Sequence, residues 1–172
     1  MSPARRLLIG AIVMTSGAVG YAAGRALFRP ERRVVQPIVF SHQKHAGELE
    51  MGCDLCHELY GSSAHAGLPK LTACLECHEE AQTESPEEQR IRDLAGEGED
   101  DVFRKLFRLP DHAFYTHRRH VAVAGLECRT CHGTIAETAS PPERPLVRID
   151  MDFCLDCHER SGASDDCTAC HR

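Results

Sequence analysis

All ten cysteines of this 172-residue chain fall into five Cys-x-x-Cys-His motifs. They are Cys53/Cys56/His57, Cys74/Cys77/His78, Cys128/Cys131/His132, Cys154/Cys157/His158 and Cys167/Cys170/His171. An even cysteine count permits a disulfide framework. Paired Cys-x-x-Cys units permit zinc knuckles. Neither asks for His directly after the second Cys. His makes up about 6% of the chain, so chance would place it after all five pairs about once in a million. Covalent c-type haem does ask for that His. Two thiols form thioethers with the vinyl groups of one macrocycle, and the next residue lies under the ring as an axial ligand. The reading is five haem c groups, attached through the ten cysteines, with His57, His78, His132, His158 and His171 on the irons.

That reading constrains the fold. The chain has no Trp, three Tyr and six Phe, a poor stock for an ordinary aliphatic core. Five macrocycles in about 140 residues would form the core themselves, with covalent staples replacing much of the usual packing. The expected fold is multihaem, with few short helices, mostly irregular backbone and a haem-packed core. Haem of this kind is attached outside the bacterial cytoplasm, so the motif-bearing body is expected in the periplasm.

Residues 1–30 read as an N-terminal transmembrane anchor, with a cleaved signal peptide as the alternative. Residues 7–24 are uncharged, and with Arg25 snorkelling and residues 26–28 added the run reaches about 22 residues, enough for one helical span. Gly10, Gly17, Gly20 and Gly24 would suit close helix packing. Arginines flank both ends, Arg5 and Arg6 before and Arg25, Arg29, Arg32 and Arg33 after, so charge alone does not orient the span. The haems orient it, because the C-terminal body must be translocated. Residues 1–30 carry four Arg and no acid; the rest holds 16 basic and 26 acidic residues, a net of −10. Such a body does not suit nucleic acid, whose phosphates demand Lys and Arg.

Residues 31–172 contain two related halves, about 38–83 and 112–160, and an appended fifth motif. His42, His45, Cys53, Cys56 and His57 recur as His117, His120, Cys128, Cys131 and His132, each at an offset of 75. Each half begins with an aromatic, a hydroxyl residue and His-x-x-His. Between the halves, residues 84–101 hold eight acids. Residues 86–95 predict a helix with Ser85 as N-cap, Glu88 at the capping-box position and Gly96 and Gly98 as terminators. The segment reads as a solvated connector.

Six His lie outside the motifs, enough to give five irons a sixth ligand. The two His of each His-x-x-His sit about one turn apart, so each pair is expected to serve two different haems. His42, His45, His117 and His120 are the expected distal ligands. The fifth is open between Met151, His112 and His65. A Met would raise that haem's potential relative to its bis-His partners.

The two halves resemble class III cytochromes c, small bis-His multihaem carriers. The stretches LPDHAFYTH (109–117), GLEC (125–128), Cys131-His132-Gly133, MDFCLDCH (151–158) and AGLP (66–69) resemble the pentahaem subunit of alternative complex III. That resemblance covers about residues 40–172 and fits a single anchor before them. The family's Trp-containing stretch with a His before Leu-Pro-Asp is here residues 102–108, without Trp or His. The family keeps a Met-x-aromatic-Cys, which favours Met151 as the fifth ligand, with His112 close behind. The resemblance implies integral-membrane and iron–sulfur/molybdopterin-like partner subunits, quinol oxidation by the complex, and a periplasmic cytochrome or oxidase as acceptor.

The expected role is therefore an electron-transfer subunit at the bacterial inner membrane and not an enzyme in itself. Catalysis needs an open iron position, and the spare His with Met151 can saturate five irons. The alternatives are a stand-alone anchored carrier, whose acidic body would dock basic partners, and a subunit of a related quinone-reductase complex.

Overall fold

The computed structural model describes residues 3–27 and 32–171. The chain divides into two units, Met1–Arg32 and Arg33–Arg172. The boundary expected at residues 30–31 lies outside the described residues.

The first unit is one helix, α1 (Pro3–Leu27). Its Pro3–Gly24 stretch is long and apolar enough to cross a bilayer, a character that N-terminal signal sequences share. Two of its hydroxyls are satisfied along the helix. Thr15 Oγ1 donates to Ala11 O and Ile12 O, and Ser16 Oγ donates to Val13 O. Those two side chains therefore need no water in mid-helix.

The second unit is built from short turns. Its helices are α2 (Leu71–His78), α3 (Pro86–Gly96), α4 (Cys128–His132), α5 (Met151–Ser161) and α6 (Cys167–Cys170). Two π-helical turns, Gln43–Glu48 and Arg118–Val123, and two 3₁₀ turns, Cys53–Leu55 and Ile135–Glu137, complete it. Among the described residues there is no β-strand; an isolated antiparallel bridge joins Ala113 and His171.

The apolar knot is small. Ile38, Leu71 and Ile91 are buried together, with Cys74, Leu75, Leu94, Ala95, Val102 and Phe103 packed against them. The knot joins α2 to α3, so the acidic segment is more than a solvated connector. Its few apolar residues, Ile91, Leu94 and Ala95, lie on one face of the helix and close over α2 and Ile38. Ser85 caps α3 by accepting from Glu87 N–H at 3.3 Å, and Pro86 opens it. The expected capping box does not form: the Glu88 carboxylate turns to residues 82 and 83 instead.

The segment 33–40 is pinned from three sides. Val34 N–H donates to Glu143 O at 2.8 Å, and Arg33 pairs with the Glu143 carboxylate. The Gln36 amide exchanges two hydrogen bonds with the Arg104 backbone, at 2.7 and 2.9 Å. Val39 N–H donates to Glu87 Oε2 at 2.8 Å. These contacts fix where residues 40–45 begin.

One glycine is demanded outright. Gly133 follows His132 with φ 62° and ψ −144°. A Cβ there would stand 3.1 Å from Val147 Cγ2. Gly133→Ala is expected to lower the unfolding free energy by about 1–3 kcal/mol, read by denaturant titration. A variant as stable as the parent would contradict the strain argument.

Candidate haem-binding sites

Each Cys-x-x-Cys-His motif is folded as about one helical turn. His57 N–H donates to Cys53 O at 2.9 Å, and His171 N–H donates to Cys167 O at 2.8 Å. The other three motifs lie in α2, α4 and α5. One turn brings thiols three apart to the same side and sets the next residue beside them. The caps hold these turns in place. Asp150 accepts from Phe153 N–H at 3.0 Å ahead of Cys154, and Asp166 accepts from Thr168 N–H at 2.8 Å ahead of Cys170. Asp166, which looks like part of a plain acidic turn in sequence, is thus the N-cap of the last motif. The Thr168 backbone bond holds its carboxyl below the usual carboxylate range.

All ten cysteines are free. Cys53, Cys77, Cys154 and Cys167 are exposed, while Cys56, Cys74, Cys128, Cys131, Cys157 and Cys170 are half-buried. Cys77 shows why. Leu71, Cys74 and Leu75 stand at i, i+3 and i+4 on the face of α2 that packs on the apolar knot. Cys77 falls at i+6, beyond the edge of that face, so protein side chains shelter Cys74 and leave Cys77 open. Cys77 is thus a candidate attachment residue at the outer edge of its turn and not part of the protein-packed interior. An accessible thiol is compatible with covalent attachment, which needs the sulfur to be reached.

Burial pushes the thiols of Cys56, Cys74, Cys128, Cys131 and Cys154 up, and neighbouring sulfurs add to it. Those neighbours are informative. Cys53 is in hydrogen-bond contact with Cys128, while Cys56 acts on Cys74, Cys157 on Cys131, and Cys131 and Cys170 on Cys154 through their charge alone. Among the described residues no group of three His, Cys, Asp or Glu is placed to hold a bare metal ion. Thiol pairs followed by a His suit thioether attachment.

The histidines pair across the fold. Ring centroids lie 6.1 Å apart for His45 and His78, 6.3 Å for His117 and His132, and 6.1 Å for His120 and His158. Two imidazoles on opposite faces of one iron would stand about 6 Å apart, given metal–nitrogen bonds of about 2 Å. His112 and His171 lie 5.4 Å apart. Burial lowers the pKa of His42, with His57 and then His45 adding. Burial also lowers that of His132, with His117 and His57 adding. Both rings are therefore neutral at neutral pH, as ligation requires.

The outer nitrogens are tied down. Nδ1–H donates to a backbone carbonyl from His45 (Ser41 O, 2.9 Å), His57 (Gly67 O, 2.8 Å), His117 (Ala64 O, 2.9 Å) and His120 (Thr116 O, 2.9 Å). His158 and His171 do the same toward Ser164 O at 2.6 Å and His112 O at 3.3 Å. A carbonyl only accepts, so these bonds fix the tautomer that leaves Nε2 as the lone-pair nitrogen. The donor set fits haem iron.

The repeat survives in three dimensions. Phe40 stacks on His45 at 4.4 Å and meets His42 edge-on at 4.9 Å; Tyr115 stacks on His120 at 4.5 Å and meets His117 edge-on at 5.0 Å. The aromatic before each His-x-x-His is thus a wedge between its two rings, a role the sequence pattern marked without explaining. The turns are π-helical, through Leu49 N–H to Lys44 O and Ala124 N–H to Arg119 O, both 3.0 Å. The wider turn splays the two side chains further than an α-helix would.

The halves also dock reciprocally. Gln43 N–H donates to Thr138 O at 3.0 Å, beyond the third motif, and His42 Nδ1 lies 3.5 Å from Thr138 Oγ1. His117 N–H and Arg118 N–H donate to Ala64 O and Ser63 O, both 3.1 Å, beyond the first motif.

The remaining ligand candidates separate. His65 is exposed in the loop whose carbonyls receive His117. Met151 opens α5 at 58% exposure, while His120 already faces His158 and His112 faces His171. The Ala113–His171 bridge and Phe114 N–H to Cys170 O at 2.8 Å hold His112 beside the last motif. That contact closes over 59 residues, which no local pattern reveals.

Residues 25–97 match the model of the class III cytochrome C family, and residues 113–172 match the model for cytochrome c7 and related cytochrome c. The chain carries class III and c7-like multihaem cytochrome domains. No curated protein matches it. Cytochromes of these families bind covalent c-type haem and are electron carriers rather than enzymes. Their domains are typically extracytoplasmic. The two matches lie one on each side of residues 98–112.

Proposed function

We propose that this cytochrome is a pentahaem electron-transfer subunit. Its haems are attached at Cys53/Cys56, Cys74/Cys77, Cys128/Cys131, Cys154/Cys157 and Cys167/Cys170. Their axial pairs are His57 with His42, His78 with His45, His132 with His117, His158 with His120 and His171 with His112. The observation that carries this is the facing of motif and non-motif His rings, in four of the five pairs, at about the spacing one iron requires; His42 is assigned to His57 as the remaining pair, since the charge of His57 acts on it. When bound, the haems supply one-electron redox chemistry. The chain holds the rings, fixes their tautomers and wedges them with Phe40 and Tyr115.

The order of the sites follows from their neighbours. His42 and His45 share one turn and link the first and second sites; His117 and His120 link the third and fourth. Reciprocal docking at Thr138 and Ala64 joins first to third. The charge of Cys170 reaches Cys154, which supports joining fifth to fourth. The proposed file runs Cys74, Cys53, Cys128, Cys154, Cys167, named by each site's first cysteine.

The anchor, the acidic body and the resemblance to the alternative complex III subunit support a place in a quinol-oxidising complex of the bacterial inner membrane. Integral-membrane and iron–sulfur/molybdopterin-like subunits would donate, and a periplasmic cytochrome or oxidase would accept. The test is mild-detergent purification from native membranes, following haem absorbance, with intact mass and identification of co-eluting chains. Five haems and co-elution with such subunits are expected. A lone pentahaem chain at low salt would overturn the complex and leave an anchored carrier. Fewer than five haems would overturn the stoichiometry.

A further inference from the structure

We propose that Glu88 sets the reduction potential of the haem site at Cys74/Cys77 below what its ligands alone would give, by presenting a fixed carboxylate to Nδ1 of His78. The proposal rests on the haem reading above.

His78 differs from the motif histidines His57, His158 and His171, whose Nδ1–H groups end on backbone carbonyls. His78 Nδ1 is buried without a hydrogen-bond partner. Glu88 Oε2 lies 3.7 Å from it. Glu88 itself is only 6% exposed, unusual for a glutamate in so acidic a segment. A buried charge must be held by donors, and three converge here. Gln82 N–H and Thr83 N–H donate to Oε2 at 2.7 and 3.2 Å, and Thr83 Oγ1–H donates to Oε1 at 2.6 Å. A group receiving that set is an acceptor-only carboxylate.

Closing the 82–83 turn does not by itself account for the arrangement. Ser85 already caps α3, and a neutral Gln could receive the same backbone bonds. What the ionised group adds is a negative charge beside the proximal imidazole. Arg92 brings a counter-charge to the neighbourhood, and its Nη1 is spent on His78 O at 3.4 Å. A carboxylate 3.7 Å from Nδ1 acts on the site through its charge, not through a hydrogen bond. It favours the iron state carrying one more positive charge. That stabilises the ferric form, so the potential falls. The site lies at one end of the proposed file, where a low-potential haem would hold its electron least and pass it toward the Cys53 site.

The test is potentiometric titration of the full-length holoprotein and of Glu88→Gln, followed by haem absorbance and by electron paramagnetic resonance. One of five one-electron steps is expected to move positive, with its reduction constant rising about tenfold, about 59 mV; the other four stay. Unmoved steps in a variant that keeps five haems overturn the proposal. Haem missing from Cys74/Cys77 in the parent protein instead overturns the functional reading, and this proposal with it. If the variant does not fold, the parent decides. The haem at Cys74/Cys77 should titrate at the lowest potential of the five. A Cys74/Cys77 haem that titrates with the others or above them would overturn the role of Glu88.

Discussion

Replacing Cys128 and Cys131 together by Ala is expected to leave a cytochrome with four haems that no longer carries electrons from end to end. The third site is the junction of the file. Cys128 lies against Cys53, and Cys131 has Cys157 and Cys154 as neighbours. Without it, reduction from the Cys74 end should reach two haems and leave the two on the far side oxidised on the same timescale. Stability should fall as well. A haem bonded to the chain at 128 and 131 and gripped by His117 would act as a cross-link, and removing a disulfide cross-link typically costs about 2–5 kcal/mol. The control is the same substitution at Cys167 and Cys170, which removes a terminal haem and should leave transfer among the other four intact. Stopped-flow reduction and intact mass read both effects. Uniform reduction of all four haems at the parent rate in the Cys128/Cys131 variant would show that the file is wrong.

Substituting His112 should have as large a spectroscopic effect as losing any other distal histidine, and it tests the ligand that the sequence leaves open. His112→Ala removes the ring facing His171, so one ferric haem of five is expected to pass from low spin to high spin. His112→Met should restore six ligands but shift that haem to higher potential, because thioether ligation favours ferrous iron. Axial ligands span about 0.8 V across haem proteins, so the move should be large. Met151→Leu is the counterpart. It should leave every haem low-spin, since Met151 stands exposed at the start of α5. A high-spin haem in Met151→Leu and none in His112→Ala would return the ligand to the methionine.

Much of the site was legible because its chemistry is local. Thioether attachment needs two thiols and a His at fixed spacing, so the five motifs can be read directly. Which thiol of a pair is sheltered cannot be read that way: Cys74 and Cys77 look equivalent until α2 turns one toward the knot and leaves the other exposed. The 75-residue repeat singles out His42, His45, His117 and His120, because a doubled design repeats its histidines at the same offsets. The helix at residues 86–96 was readable from Ser85, Pro86 and the glycines. Its packing was not. Ile91 and Leu94 are too sparse in an acidic run to announce a buried face, and Glu88 looks like any other acid until Gln82 and Thr83 fold over it. The open choice among Met151, His112 and His65 had the same origin. His112 meets His171 only through a long-range bridge, whereas Met151 is near Cys154 in sequence and drew attention for that reason.

The sequence by itself determined the attachment chemistry, the doubled design and an apolar N-terminal helix of spanning length. These depend on spacings of a few residues or on a run of composition. Tertiary structure alone decided which His faces which, that Thr138 and Ala64 exchange the two halves, and that a carboxylate stands behind His78. Each is a contact between segments apart in the chain, set by how turns dock and where backbone carbonyls come to lie, and short-range spacing carries no record of that.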